Sequence, residues 1–205
     1  MPQVKPAILL AIAALGSLAL TSCQSTLQSA SGETQYLTGI YAPPTQKPST
    51  AFEDTISYWQ GDGVPGAPSV KIDLSEQKAY FYKGGQLVGV SRISSGNESH
   101  RTPTGSFKVT QKNIDHRSNL YGEIVDAYGN VVNNDATNGK DPIPPGGKFV
   151  GASMPFFMRF NNAVGMHAGY LPGYPASHGC VRMPRWMAKN FYNHVEYGTP
   201  VTVVP

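Results

Sequence analysis

The sequence predicts a mainly β fold with one well-marked helix near its C-terminal end. Three observations carry that expectation. The 205 residues include 22 glycines and 17 prolines, a load of turn formers that suits short strands and disfavours a helical bundle. From residue 70 onward apolar side chains recur at alternate positions, the period of a half-buried strand. Only 184–196 repeats its apolar residues at a spacing of four. Hydrophobic residues make up 40% and charged residues 14%, which is too apolar for a disordered chain, and the length suits one domain of ordinary size. The net charge of +3 is scattered with no basic block, so nucleic acid is not an expected partner.

The first 22 residues carry one charge, Lys5, followed by an apolar run centred on Ala7 to Leu15. That is the pattern of an export signal, too short to span a bilayer comfortably. It ends in Leu20-Thr21-Ser22-Cys23, which resembles the lipobox of bacterial lipoproteins and makes residues 1–22 a lipoprotein signal peptide. The resemblance implies that Cys23 is lipidated and becomes the first mature residue. Its acyl chains would hold the protein to a membrane without a transmembrane helix. The expected location is the cell envelope, facing the periplasm, with Gln24 favouring the outer membrane if the cell is Gram-negative. Residues 23–50 are rich in Ser, Thr, Gln, Gly and Pro and read as a flexible tether. Residues 51–69 read as a linker or domain entry, with Tyr58 and Trp59 offering docking contacts.

The domain proper is expected over 70–205. Val70, Ile72 and Leu74 alternate, Ala79 to Tyr82 form a second strand, and Gly84-Gly85 turns the chain into Leu87 to Val90. Phe107 and Val109 continue the pattern, as do Ile124-Val125 and Val131-Val132 around a Tyr128-Gly129-Asn130 turn. Asn133 to Lys148 is rich in Asn, Asp, Gly and Pro and reads as one long surface loop, a candidate lid. Phe149-Val150, Met154 to Phe160 and Val164 to Met166 supply late strands, with Met154, Phe156 and Met158 pointing to the core. Pro184 opens the helix, which carries Met187, Phe191 and Val195 and closes before Gly198; Val201 to Val204 ends the chain as a strand.

The chemistry concentrates between Met166 and Arg182. With Cys23 given to lipid, Cys180 is the one remaining cysteine, and no internal disulfide is available. His167 and His178 lie close to it in sequence. A cysteine attacks a carbonyl as its thiolate, which requires a base and donors for the developing oxyanion. Gly179 permits a sharp turn that presents backbone N–H groups to that oxygen. His167, His178 and Cys180 also suggest zinc, but a structural site needs a fourth ligand and no CxxC or HExxH pattern accompanies them, so no metal is expected. Ser177 is read as a turn cap, and Arg182 as either a salt-bridge partner or a substrate contact. Tyr170 and Tyr174 line a groove or cover the core. His100, His116 and His194 are read as surface residues.

Ser177-His178-Gly179-Cys180-Val181-Arg182, with His167 upstream, resembles the motif of the L,D-transpeptidase (YkuD-type) catalytic domain. Arg101-Thr102-Pro103-Thr104-Gly105-Ser106-Phe107 resembles that family's Thr-Pro-x-Gly-x-Phe segment. The resemblance implies a mixed-sheet β-sandwich with short helices, including one near 184–196, that works on peptidoglycan stem peptides without a cofactor. It implies that Cys180 is the nucleophile and His167 the general base. Backbone groups around His178, Gly179 and Cys180 would line the oxyanion hole, with Ser177 and Arg182 shaping the site. Many relatives carry Gly-Thr or a serine after the base, whereas this chain has Ala168-Gly169, so a carbonyl near Ala168 is expected to orient the imidazole. Acylation by carbapenems is implied as well.

The implied reaction is attack on a tetrapeptide stem, release of D-alanine and transfer of the acyl group to an amine of another stem or of a protein. An L,D-carboxypeptidase or a wall-protein amidase on the same scaffold differs only in what reaches the thioester. A non-catalytic peptidoglycan-binding lipoprotein would suit the tether but would not need both Cys180 and His167. Papain-like and NlpC/P60-like peptidases place cysteine before the catalytic histidine, and here only His194 follows Cys180.

Overall fold

The structure, a computed structural model, describes residues 54–205; the expectations for the export signal, Cys23 and the tether lie outside the described residues. In chain order the strands are β1 (Tyr58–Trp59), β2 (Pro68–Asp73), β3 (Lys78–Lys83), β4 (Gln86–Arg92), β5 (Gly105–Lys108), β6 (Gln111–Val125), β7 (Val131–Thr137), β8 (Lys148–Asn161), β9 (Val164–Ala168) and β10 (Val181–Met183). Helix α1 (Arg185–His194) and β11 (Pro200–Val204) complete the chain. One sheet runs β1-β4-β3-β2-β11-β5 and the other β10-β9-β8-β6-β7. Both are mixed, because β11 lies parallel to β2 and β10 parallel to β9 while the other pairs are antiparallel. The architecture is the expected mainly β, mixed-sheet one.

The alternation read from the sequence explains the core. Val70, Ile72, Phe81, Val88, Val201 and Val203 of the first sheet are buried against Met158, Phe160, Met166, Val181 and Met183 of the second. Burying a side chain of this size is worth about 1.5–3 kcal/mol. Helix α1 packs on β8 and β9 and buries Met187, Ala188 and Phe191, the last against the rings of Phe81 and Trp59. Pro184 stands at its N-cap with extended backbone, since proline cannot donate to a preceding turn and its fixed φ suits a helix start.

Tyr58 and Trp59, within the stretch read as a linker or domain entry, pair with Val90 and Gly89 and form the edge of the first sheet. Two expectations change. The stretch 133–148 is not one loop, because β7 runs to Thr137, pairs with β6, and Lys148 already belongs to β8. Only the turn end of that hairpin, Ile124-Val125 and Val131-Val132, carries an apolar signal; residues 133–135 are polar, and the chain there is held as a strand by backbone pairing and by the buried Ala136. Met154 does not join the core cluster; it lines a cavity, whereas Phe156 and Met158 face inward. The alternation breaks at Phe156, whose φ of 57° lies in the left-handed region.

Candidate active site

The register of the second sheet builds the site. Met158, Met166 and Val181 stand abreast on β8, β9 and β10, and all three are fully buried in the core. Neighbouring strand residues point the other way, so Arg159, Gly165, His167 and Arg182 lie on the outer face. Arg159 is opposite Gly165, and Arg182 opposite His167. Cys180 immediately precedes β10. Phe157, fully buried, floors this face beneath His116 and Arg159. The result is a cavity of about 260 Å³ lined by Cys180, His167, His178, Arg182, Arg159 and His116, among others.

The sequence Val181-Arg182-Met183 becomes a strand because two of its residues fill the core. The turn before it is braced from several directions. Ser177, 2% exposed, donates through Oγ to the carbonyl of Cys180 and accepts the Gly179 N–H at 3.1 Å. Gly179 has φ 106°, which only glycine adopts readily. Its carbonyl accepts from Thr102 Oγ1 at 2.8 Å, and the same oxygen of Thr102 accepts the Gly96 N–H at 2.9 Å. Ser177 is thus a turn brace, as its residue type suggests. The Gly179 N–H, expected among the oxyanion donors, is instead committed to Ser177 Oγ.

His167 is 6% exposed, and its Nδ1 lies 2.9 Å from the carbonyl of Ala168. A carbonyl only accepts, so the neutral ring carries its proton on Nδ1 and leaves Nε2 a lone pair. The missing side-chain orienter is therefore replaced by backbone, as expected. Burial pushes the His167 pKa down to about 4, against a raising contribution from the Ala168 carbonyl; Arg182 and His116 lower it further. Burial pushes the Cys180 thiol up, while the Gly165 N–H, Arg182 and Arg159 pull it back. At neutral pH the resting pair is consequently neutral thiol and neutral imidazole. The thiol lies 3.8 Å from the carbonyl of Ala163 and is partly exposed to the cavity.

Gly169 makes room for Arg182. A Cβ there would stand 3.0 Å from Arg182 Cγ, so the space beside Gly169 is filled by the stem of the arginine. Among the described residues Arg182 has no carboxylate within ion-pair distance. His178 is occupied elsewhere. Its ring stacks on Tyr121 at 4.2 Å, meets His100 edge-on at 4.6 Å, and places Nε2 3.6 Å from Asp135 Oδ1. Its pKa is lowered by burial, with Asp135 opposing. Tyr170 lines the cavity while remaining half exposed.

The histidines read as surface residues are half-buried. His116 stacks on Phe157 at 4.2 Å and lines the cavity, His100 packs on His178, and His194 lies against Trp59 with ring centroids 4.7 Å apart and the rings tilted by 38°. Arg159 and Tyr121 also line the cavity: Arg159 is a polar residue on the otherwise apolar β8, and Tyr121 lies on the part of β6 that has no apolar period. Thr102 was visible in the upstream motif but not as a brace of the Cys180 turn. Among the described residues no three His, Cys, Asp or Glu side chains are grouped to hold a metal ion.

The family model of the YkuD L,D-transpeptidase catalytic domain matches residues 67–203. Among solved structures, a cysteine-to-serine variant of the Enterococcus faecium L,D-transpeptidase is 26% identical with a TM-score of 0.51, over 68% of this chain and 50% of that one. The Ldtfm carbamoyl enzyme formed with avibactam is 25% identical with a TM-score of 0.50, over 67% of this chain and 49% of that one. An L,D-transpeptidase from Xylanimonas cellulosilytica, at 23% identity, shares the fold with a TM-score of 0.51 over 69% of this chain and 62% of that one. The chain thus spans less than two thirds of the length of each. No curated protein matches it in sequence. With the family model covering well over half of its residues, the chain belongs to the L,D-transpeptidase catalytic-domain family.

Proposed function

We propose that the protein is a peptidoglycan L,D-transpeptidase whose acyl-enzyme is a thioester on Cys180. The observation that carries the reading is the shared cavity of Cys180 and His167, with the imidazole oriented by the Ala168 carbonyl so that Nε2 is free to take a proton. Cys180 Sγ attacks the carbonyl of the third residue of a tetrapeptide stem as its proton passes to His167 Nε2. The tetrahedral intermediate collapses, the imidazolium returns the proton to the departing amine, and D-alanine leaves. An amine of a second stem, or of a protein, then attacks the thioester; it gives a proton to Nε2, and Sγ recovers one on release. The backbone N–H groups of His178 and Cys180 are the donors assigned to the oxyanion.

Because both partners rest neutral, the thiolate forms only as the proton moves to His167, in a site where burial disfavours isolated charge. Holding donor and acceptor amine together lets aminolysis outrun water. Cys23, acylated, anchors the domain in the cell envelope facing the periplasm, with 23–50 as its tether. Incubating the domain with a disaccharide-tetrapeptide tests the reading: free D-alanine and an amide-linked dimer support it, while D-alanine without dimer points to a carboxypeptidase.

A further inference from the structure

The lining of the cavity around Cys180 includes two guanidinium groups, Arg159 and Arg182, and no carboxylate. The sheet register fixes where they start. Arg159 stands opposite Gly165, Val181 pairs with Met166 so that Cys180 falls one strand beyond Gly165, and Arg182 lies two residues beyond Cys180 toward the same face. At about 4.8 Å per strand and 3.3 Å per residue, Arg159 begins roughly 10 Å across the sheet from the nucleophile and Arg182 roughly 7 Å along it.

Among the described residues no carboxylate lies within 4.0 Å of either guanidinium. Arg159 is held by neutral groups: Nε donates to Gln111 Oε1 at 2.7 Å, Nη1 donates to the Asn162 carbonyl at 2.5 Å, and the plane lies over the Phe157 ring at 5.1 Å. The fork is thereby fixed with N–H donors to spare. Arg182 is partly buried beside Gly169, and burial lowers its pKa. Asp135, the acid that acts on it electrostatically, is largely exposed and is directed at His178. A cation without a counter-charge is stabilised by an incoming anion, the more so where it is partly buried as Arg182 is, and carboxylates match the guanidinium fork.

We propose that Arg159 and Arg182 are the two points of a carboxylate clamp beside Cys180, one reached across the sheet and one along the strand, and that the donor peptide carries two free carboxylates. The inference rests on the site acting on stem peptides and adds to it a donor class, dianionic and unamidated, with Arg159 as a specificity-determining residue. An extended peptide rises about 3.4 Å per residue, so carboxylates a few residues apart span the two arginines.

The test is calorimetric binding to the full chain carrying Cys180→Ala, which cannot turn the peptide over. Three tetrapeptide stems are compared: both carboxylates free, and each singly converted to its amide. Each amide is expected to weaken binding about tenfold, the low end of what a hydrogen bond to a charged group contributes. Adding Arg159→Gln removes the discrimination at one of the two positions and leaves the other; Arg159→Lys, which keeps charge and much of the packing, retains part of it. Equal affinity for all three peptides, uniform weakening of all three by Arg159→Gln, or no binding of any of them overturns the clamp. Should Arg159→Gln fail to fold, the amide series on the parent and on Arg159→Lys still decides. Failure of the proposed reaction reads differently: wild type would show the same binding preferences yet release no D-alanine.

Discussion

Thr102 Oγ1 donates to the carbonyl of Gly179 at 2.8 Å, joining residues 77 apart in sequence. Through this bond the upstream Thr-Pro segment holds the turn that presents Cys180. Thr102 is 3% exposed, so neither Gly179 nor Gly96, whose N–H it accepts, can turn readily to water if the hydroxyl is lost. Thr102→Val keeps the shape and removes both bonds, with an expected cost of about 1–3 kcal/mol and a lower rate of Cys180 acylation. Thr102→Ser should restore most of both. Urea denaturation and single-turnover acylation of the three proteins check this; indifference to the valine would mean that the brace is not needed.

His167 ties stability to pH. Its folded pKa is about 4, below the ordinary 6.5, so between those values the unfolded chain binds a proton that the folded protein refuses. Stability therefore falls as pH drops through this window, by about 3 kcal/mol in total, and this contribution is flat below it. In His167→Gln that component is absent. Denaturant titrations at pH 7.5 and 4.5 should show a smaller loss in the variant than in wild type, whatever their absolute stabilities. Equal losses would indicate that the imidazole is not buried neutral. In wild type the acidic limb of kcat/KM, once corrected for unfolding, should likewise lie near pH 4 and not near 6.5.

Two glycines of the site should fail for different reasons. At Gly165 a Cβ would stand 2.5 Å from the Phe157 ring and 2.7 Å from the Met158 carbonyl, so Gly165→Ala forces strands apart and should cost about 1–3 kcal/mol by overpacking. At Gly179 the nearest atom would be 3.6 Å away, but φ is 106°, so the cost of Gly179→Ala is backbone strain of about 1–2 kcal/mol. Gly179→Asn, which tolerates positive φ better than alanine, should therefore be milder than Gly179→Ala, whereas Gly165→Asn should be worse than Gly165→Ala. Thermal melts of the four variants test both orders.

Where apolar side chains alternate against a core, sequence and structure agree closely. Val70 and Ile72, Met158 and Met166, and the helix from Arg185 follow directly from period and turn chemistry. The hairpin of β6 and β7 is legible only at its turn, where Ile124-Val125 and Val131-Val132 flank Tyr128-Gly129-Asn130; the rest of β6, from Gln111 to Glu123, and residues 133–137 are mostly polar and carry no apolar period. That hairpin brings His116 and Tyr121 to the cavity, so those residues went unrecognised. Cys180, His167 and the orienting carbonyl of Ala168 could be located because they sit within one short polar stretch. Arg159 could not: its role depends on strand register, which places it opposite Gly165.

The most direct test of the account is intact-protein mass spectrometry of the domain mixed with a disaccharide-tetrapeptide and acid-quenched early, beside Cys180→Ala. The expected result is a wild-type adduct equal to the donor less D-alanine, mapped to Cys180, sensitive to hydroxylamine and absent from the variant. Release of D-alanine by Cys180→Ala at the wild-type rate, or turnover by wild type through an adduct on another residue, would contradict it.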